Sequence, residues 1–136
     1  MALELANLDT QTPLRVLDIG CGTGASALQL VGSLDADVFA VDLSAEFIET
    51  LADRALEKSL AGRLHPMVAS MERLPFPDGE FDLIWSEGAV YNMGFAAGVS
   101  AWRRLLAPQG MLVVSEITWT TATRPQALQQ YWNTHY

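Results

Sequence analysis

Short apolar runs alternate along this chain with longer stretches in which apolar residues recur every three or four positions. The short runs predict five strands, at 14–19, 37–41, 64–69, 81–85 and 111–117. The longer stretches predict helices at 24–32, 44–60 and 95–106, and a last helix from about Pro125. Regular alternation of strand and helix predicts an α/β fold with a doubly wound, mainly parallel sheet, helices on both faces and a ligand at the carboxyl ends of the central strands.

The first predicted strand runs directly into a turn with three glycines at alternate positions, Gly20, Gly22 and Gly24. Because glycine has no Cβ, such a turn can adopt positive φ and let a ligand lie against backbone amides. Together with Ala25, the spacing also fits the looser dinucleotide fingerprint. Asp18 precedes the turn, and its carboxylate favours a cationic ligand over a pyrophosphate. The alternative, that Asp18 only accepts hydrogen bonds from turn amides, stays open.

The second predicted strand ends in Asp42, about twenty residues after the glycine turn, where an acid accepts hydrogen bonds from ribose hydroxyls. Ser44 follows and is a typical residue for capping the next helix. That helix carries an apolar stripe that we expect to face the core. The stripe consists of Phe47, Ile48, Leu51, Ala55 and Leu56.

With these motifs in place, the chain resembles the class I S-adenosylmethionine-dependent methyltransferases, specifically the group called methyltransferase type 11, which is similar to the ubiquinone-biosynthesis C-methyltransferases. The resemblance covers about residues 14–118. The motifs that carry it are VLDIGCGTG at 16–24, VDLS at 41–44, MERLPFPDGEFDLIWSEGAV at 71–90 and RRLLAPQGMLVVSE at 103–116. Several motifs in the family's order are far more specific than one glycine pattern.

The resemblance implies transfer of a methyl group from S-adenosyl-L-methionine, with S-adenosyl-L-homocysteine as product, to a small-molecule acceptor. It places Asp18 at the ammonium end of the cofactor, Asp42 on the ribose and Leu43 on an adenine face. Many relatives carry Asp-Ala-Glu where this chain has Ser70, Met71 and Glu72, so we expect a weaker hydrogen bond to the adenine. The expected cofactor-binding residues are Asp18, Gly20, Cys21, Gly22, Asp42, Leu43, Ser70, Met71, Glu72 and Ser86.

Catalytic candidates lie in the segment SEGAVYNMGF, at 86–95. Displacement at a sulfonium methyl needs alignment and exclusion of water, and a general base is required only when the acceptor must lose a proton. Glu87 and Tyr91 are the candidate bases, and Asn92 is a further residue that could orient an acceptor. Trp85 and Trp119 could exclude water from the sulfonium, although packing in the core or at the rim is the favoured role for both.

Composition limits the partners of this chain. Its 136 residues are half hydrophobic, with 16 acids against 8 Lys plus Arg and a net charge of −8. Phosphate binding needs a basic face, so we expect no nucleic-acid partner. No long apolar span or amino-terminal signal is evident, which predicts a cytoplasmic protein without membrane association. A single cysteine and two histidines give no support for a metal site.

We expect one domain over residues 1–136, with its core at about 14–118. The family sheet normally has seven strands ending in an antiparallel hairpin, whereas this sequence predicts five, so we expect the last two strands to be lacking. The apolar run 111–117 would then lie at a sheet edge, which predicts pairing into a homodimer. Two alternatives stay open: a catalytically incompetent cofactor-binding fragment that self-associates, and a nicotinamide-dependent oxidoreductase that binds NAD.

Overall fold

The computed structural model describes residues 13–118 and 123–135. Its elements are β1 (Leu14–Ile19), α1 (Ala25–Ser33), β2 (Ala36–Asp42), α2 (Ala45–Glu57), β3 (Leu64–Val68), β4 (Phe81–Glu87), α3 (Phe95–Trp102), β5 (Leu106–Ser115) and α4 (Gln126–His135). Two short 3₁₀ turns lie at Val90–Asn92 and Arg103–Leu105. The five strands pair in parallel in the order β3-β2-β1-β4-β5. This Rossmann-like, doubly wound sheet confirms the predicted fold class.

The strand order determines where a ligand can enter. From β1 the chain moves to β2 and β3 on one side of the sheet, and then returns past β1 to add β4 and β5 on the other. The loops that leave β1 and β4 therefore diverge and open a crevice at the carboxyl ends of these strands. In this crevice the glycine turn after β1 lies beside the ends of β2 and β4.

Two apolar layers cover the two faces of the sheet. On one face, α1 and α2 pack on β1, β2 and β4 through buried residues that include Leu30, Leu51, Val16 and Leu83. On the other face, Trp102 at the end of α3 and the neighbouring Leu105 pack on a second buried set, Leu17, Ile19, Val41, Phe81 and Ile84. β1 and β4 are thus buried on both faces of the sheet, as their nearly continuous apolar runs predicted.

The apolar stripe of α2 is narrower than its sequence predicted. Ile48, Leu51 and Ala55 are buried, but Phe47 is 42% exposed and Leu56 is 66% exposed. The expectation that all five residues face the core was therefore wrong for these two. Phe47 lies in the first turn of α2, three residues after the Ser44 cap, whereas its neighbour Ile48 in the same turn is buried.

The helix before β5 ends earlier than predicted, and β5 begins earlier. Helix α3 ends at Trp102, and β5 extends from Leu106 to Ser115, where 111–117 was expected. Leu106 pairs with Phe81, but the next pair is Leu83 with Met111, so the ladder contains a large bulge. Gln109 in this bulge has φ of 68°, and a Cβ at Gly110 would lie 2.9 Å from two carbonyl oxygens.

Strand β5 is the outer strand of the described sheet, next to β4. Met111 to Val114 are partly buried there, and Ile117 beyond the strand is 74% exposed. Homodimer formation through this edge stays a prediction. None of the helices in the described ranges combines the length and apolar character needed to cross a bilayer.

Two leucines on α2 provide a matched test of this packing. Leu51 is fully buried and Leu56 is 66% exposed. Leu51→Ala should lower the free energy of unfolding by about 2–5 kcal/mol, because it leaves a cavity beneath the helix. Leu56→Ala should change it by less than about 0.5 kcal/mol. Urea unfolding followed by circular dichroism measures both, and equal losses would contradict the placement of α2.

Candidate functional site

A cleft of about 550 Å³ opens at the carboxyl ends of β1, β2 and β4. This volume lies in the range of small-molecule and cofactor sites. Four segments line it: the glycine turn, the end of β2 with the start of α2, the loop after β3, and the loop after β4. The lining residues are Gly20, Gly22, Val41, Asp42, Leu43, Phe47, Ala69, Ser70, Met71, Glu72, Gly88, Ala89, Tyr91, Asn92 and Met93.

The glycine turn is held against the end of β2. The backbone N–H groups of Gly20 and Cys21 both donate to the carbonyl oxygen of Val41, at 2.9 and 3.0 Å. Gly20 has φ of 74°, and a Cβ there would lie 2.3 Å from the Cβ of Ala89. A side chain at this position would therefore strain the backbone and push the loop after β4 out of place. Glycine allows the two walls of the cleft to approach each other.

Asp42 is the best-positioned charged group of the cleft. One carboxylate oxygen accepts from the N–H of Gly22 at 2.9 Å, and the other accepts from the N–H of Ser44 at 3.0 Å. These two bonds fix the plane of the carboxylate between the glycine turn and the start of α2. Each oxygen retains a further lone pair, so the group can still accept hydrogen bonds from a ligand with neighbouring hydroxyls.

An apolar surface lies beside Asp42. Leu43 is 74% exposed, Phe47 is 42% exposed, and Met71 on the opposite loop lines the same cleft. The loop that carries Met71 follows β3 and is joined to the end of β2 by a bond from Ala69 N–H to the carbonyl oxygen of Asp42, at 3.0 Å. A flat, apolar ring would find contacts on both sides here, next to a fixed hydrogen-bond acceptor.

The charge of the cleft is negative. Asp42 and Glu72 are among its lining residues, and within the described part of the chain no lysine or arginine lines it. Opposite charges attract more strongly where protein displaces water. A cationic ligand is therefore favoured over one that carries phosphates.

Asp18 lies behind the glycine turn and does not line the cleft. It is 1% exposed, and one carboxylate oxygen accepts from the Ser26 hydroxyl at 2.8 Å. The pKa of Asp18 is raised from 3.8 to about 7, chiefly by burial; the Ser26 bond opposes this shift, and the charges of Glu87 and Asp42 contribute to it. Asp18 therefore lies beneath the glycine turn as a group with a raised pKa, and its role at the ammonium end of the cofactor stays a prediction.

Eight of the twelve predicted site residues line the cleft: Gly20, Gly22, Asp42, Leu43, Ser70, Met71, Glu72 and Tyr91. Cys21 is buried under the turn, and burial raises the pKa of its thiol well above the usual range. Ser86 is also buried and donates to the carbonyl oxygen of Ile19 at 3.0 Å, which joins β4 to β1. Glu87 is exposed and precedes the cleft residue Gly88.

Of the two tryptophans proposed to exclude water, Trp85 is only 9% exposed and packs in the core layer with α1 and α2. The packing role therefore holds for Trp85, and Trp119 lies outside the described residues. Among the residues that are described, no group of three acids, histidines or cysteines could hold a metal ion.

Phe47 and Ala69 line the cleft although the sequence did not predict it. Phe47 was assigned to the core, and Ala69 was placed in the predicted strand 64–69, whereas β3 ends at Val68. Gly88, Ala89 and Met93 lie in the predicted segment 86–95 but were given no individual role. An earlier end for the third strand would have placed Ala69 in the loop that lines the cleft.

Comparison with known proteins now identifies the family. A family profile described as a methyltransferase domain matches residues 16–110. The chain is 33% identical over 138 residues to a malonyl-[acyl-carrier protein] O-methyltransferase of a Methylovorus species, covering 98% of this chain and 47% of that protein. It is 34% identical over 120 residues to a ubiquinone/menaquinone biosynthesis C-methyltransferase of Pseudomonas fluorescens, covering 85% of this chain and 46% of that protein.

Among solved structures, phosphoethanolamine N-methyltransferase 2 of Haemonchus contortus in complex with S-adenosyl-L-methionine shares the fold. The TM-score is 0.87 at 23% identity, over 97% of this chain and 30% of that one. The chain belongs to the class I S-adenosylmethionine-dependent methyltransferase family. It spans less than half the length of each of these relatives.

The raised pKa of Asp18 predicts a dependence of stability on pH. The folded protein holds a proton up to pH about 7, whereas the unfolded chain releases it near 3.8. Folding therefore binds a proton between these values, so the free energy of unfolding falls as pH rises, by at most about 1.4 kcal/mol per pH unit. Asp18→Asn cannot titrate and should remove this component between pH 4 and 7.

Urea unfolding at a series of pH values gives the free energy of unfolding as a function of pH for the wild type and for Asp18→Asn. The difference between the two curves is the contribution of Asp18. Asp53→Asn is the matched control, because it replaces an exposed aspartate on α2 by the same amide. Its profile should keep the wild-type slope. Parallel profiles for the wild type and Asp18→Asn would show that Asp18 titrates normally.

Proposed function

We propose that this chain binds S-adenosyl-L-methionine in the cleft and forms the cofactor-binding part of a methyltransferase that acts on a small-molecule acceptor. The observation that carries the proposal is the Asp42 carboxylate, fixed by the amides of Gly22 and Ser44 at 2.9 and 3.0 Å. Its free lone pairs suit the two vicinal hydroxyls of a ribose. The apolar surface of Leu43, Phe47 and Met71 suits the adenine beside that ribose.

The charge of the site supports this cofactor over a dinucleotide. S-adenosyl-L-methionine carries a sulfonium and an ammonium, and Asp42 and Glu72 give the cleft the opposite sign. Asp18 is a further acid, buried behind the glycine turn. A cation bound above it would stabilise its carboxylate form and lower its raised pKa. A pyrophosphate in the same place would face these acids with no basic residue in the described lining.

When bound, the cofactor supplies an electrophilic methyl group on its sulfonium. The work of the protein residues is to align the acceptor in line with that methyl group and to keep water out. Tyr91 lines the cleft on the loop after β4, with Asn92 and Met93 beside it. We assign this loop to the acceptor side. Tyr91 is the better-placed candidate base where an acceptor must lose a proton, and Glu87 is the second.

The proposed acceptor is a small molecule, because the cleft of about 550 Å³ has room for little besides the cofactor and a compact partner. Relatives with the same fold carry names with different acceptors, a malonyl-[acyl-carrier protein] in one and phosphoethanolamine in another. Family membership therefore leaves the acceptor of this chain undetermined.

Calorimetric titration of the folded chain with S-adenosyl-L-homocysteine tests the cofactor site. We expect saturable binding that Asp42→Asn weakens by about 10- to 100-fold, because hydrogen bonds to a charged acceptor contribute about 1.5–3 kcal/mol. Asp53→Asn makes the same chemical change on the exposed side of α2 and should bind as the wild type does.

NAD titrated under the same conditions should give no saturable heat. Thermal unfolding of each variant verifies that Asp42→Asn remains folded, since its amide replaces an acceptor of two backbone N–H groups. NAD binding, or equal affinity of the wild type and Asp42→Asn for S-adenosyl-L-homocysteine, would overturn the proposal.

A further inference from the structure

One wall of the cleft is a loop without regular secondary structure. Residues 69–80 connect β3 to β4 and supply Ala69, Ser70, Met71 and Glu72 to the lining. No helix or sheet ladder holds the backbone of this loop, so its polar groups need other partners. Those partners determine where Met71 and Glu72 lie.

Trp102 supplies the first anchor. Its indole Nε1–H donates to the carbonyl oxygen of Met71 at 2.9 Å, across 31 residues of sequence. The ring is 1% exposed and packs with Leu105 in the core layer on that face of the sheet. A buried ring has one allowed position, so its N–H fixes the backbone of Met71 relative to the sheet.

Arg104, two residues further along, supplies the second anchor. Its guanidinium donates to the carbonyl oxygens of Leu74 and Phe76, at 3.1 and 3.0 Å, and to the Asp78 carboxylate at 2.7 Å. Its own carbonyl oxygen accepts from the N–H of Gly79 at 2.9 Å. The planar fork reaches these three acceptors from two separate nitrogens, whereas a lysine would have to reach them from one.

The two anchors act on the cleft through the residues that separate it from a second cavity. A second cavity of about 340 Å³ lies behind the loop, lined by Met71, Glu72, Leu74, Ser100, Ala101, Trp102, Arg104 and Leu105. Met71 and Glu72 line both cavities. Glu72 is exposed, whereas Met71 packs in part against the core layer on this face of the sheet. The hydrogen bonds of Trp102 and Arg104 therefore add a directional restraint to the packing of this loop.

We propose that Trp102 and Arg104 are positioning residues for the cofactor cleft, which hold the loop 69–80 so that Met71 and Glu72 form its wall. This inference rests on the proposed function for its effect on the cofactor. Its structural half, the restraint of the loop, holds independently of any ligand. Neither side chain touches the cofactor in this assignment, since neither lines the cleft.

Trp85 and Trp102, both buried in the described part of the chain, allow a matched experiment. Trp102→Phe removes the donor to Met71, whereas Trp85→Phe removes an N–H that has no protein acceptor. Hydrogen–deuterium exchange followed by mass spectrometry should show faster exchange in peptides covering 69–80 for Trp102→Phe, by roughly 3- to 10-fold, and no local change for Trp85→Phe. The affinity for S-adenosyl-L-homocysteine should fall by a similar factor in Trp102→Phe alone.

A second pair of variants tests the other anchor with less risk to the core. Arg104→Lys keeps the charge but loses the fork, and Arg103→Lys makes the same change at an exposed neighbour. Faster exchange in 69–80 for Arg104→Lys alone supports the inference. Unchanged exchange in both Trp102→Phe and Arg104→Lys overturns it.

The two readouts separate the inference from the proposed function. Faster loop exchange with no binding of S-adenosyl-L-homocysteine by the wild type would contradict the cofactor assignment and leave the restraint intact. Binding by the wild type that stays equal in Trp102→Phe and Arg104→Lys, despite faster exchange, would overturn the positioning role while the cofactor site stands.

Discussion

The site depends on one arrangement, the Asp42 carboxylate between the amides of Gly22 and Ser44. These bonds join three elements, because Gly22 belongs to the turn after β1, Asp42 ends β2, and Ser44 caps α2 by accepting from Phe47 N–H. The parallel pairing of β1 with β2 brings the turn and the acid to one edge. Without that register the carboxylate would have no fixed direction, and the wall formed by α2 would be separated from the turn.

Sequence reasoning could predict this arrangement because its parts are local. The glycine turn, Asp42 and Ser44 lie at or just after strand ends, and the alternation of strands and helices predicts a parallel sheet in which these ends share one edge. The same reasoning failed for Phe47. Helical periodicity places Phe47 with Ile48 and Leu51 on one stripe, but it does not show which residues at the edge of a stripe stay exposed. Phe47, which was predicted to be in the core, lines the cleft instead.

The loop 69–80 was beyond prediction for a different reason. Its position depends on side-chain bonds from Trp102 and Arg104, about 26 to 31 residues later in sequence. Hydrophobic patterns carry no information about which carbonyl oxygen a buried indole or guanidinium will reach. Asp18 shows the same limit, because its burial and its hydrogen bond from Ser26 are not visible in the sequence pattern.

Ser70 shows how the local structure of the loop 69–80 affects adenine binding in the cleft. Its hydroxyl oxygen accepts from Glu72 N–H at 3.3 Å, and its carbonyl oxygen accepts from Arg73 N–H at 3.0 Å, so it builds the turn that presents Met71. A neutral hydroxyl already occupied in its own turn is a weak acceptor for an adenine amino group. Adenine binding in the proposed function then depends more on the apolar contacts of Leu43, Phe47 and Met71. Such contacts weaken steeply with distance. The position of Met71 on the loop 69–80 therefore matters more for adenine binding here than it would in a site where a charged acceptor holds the adenine.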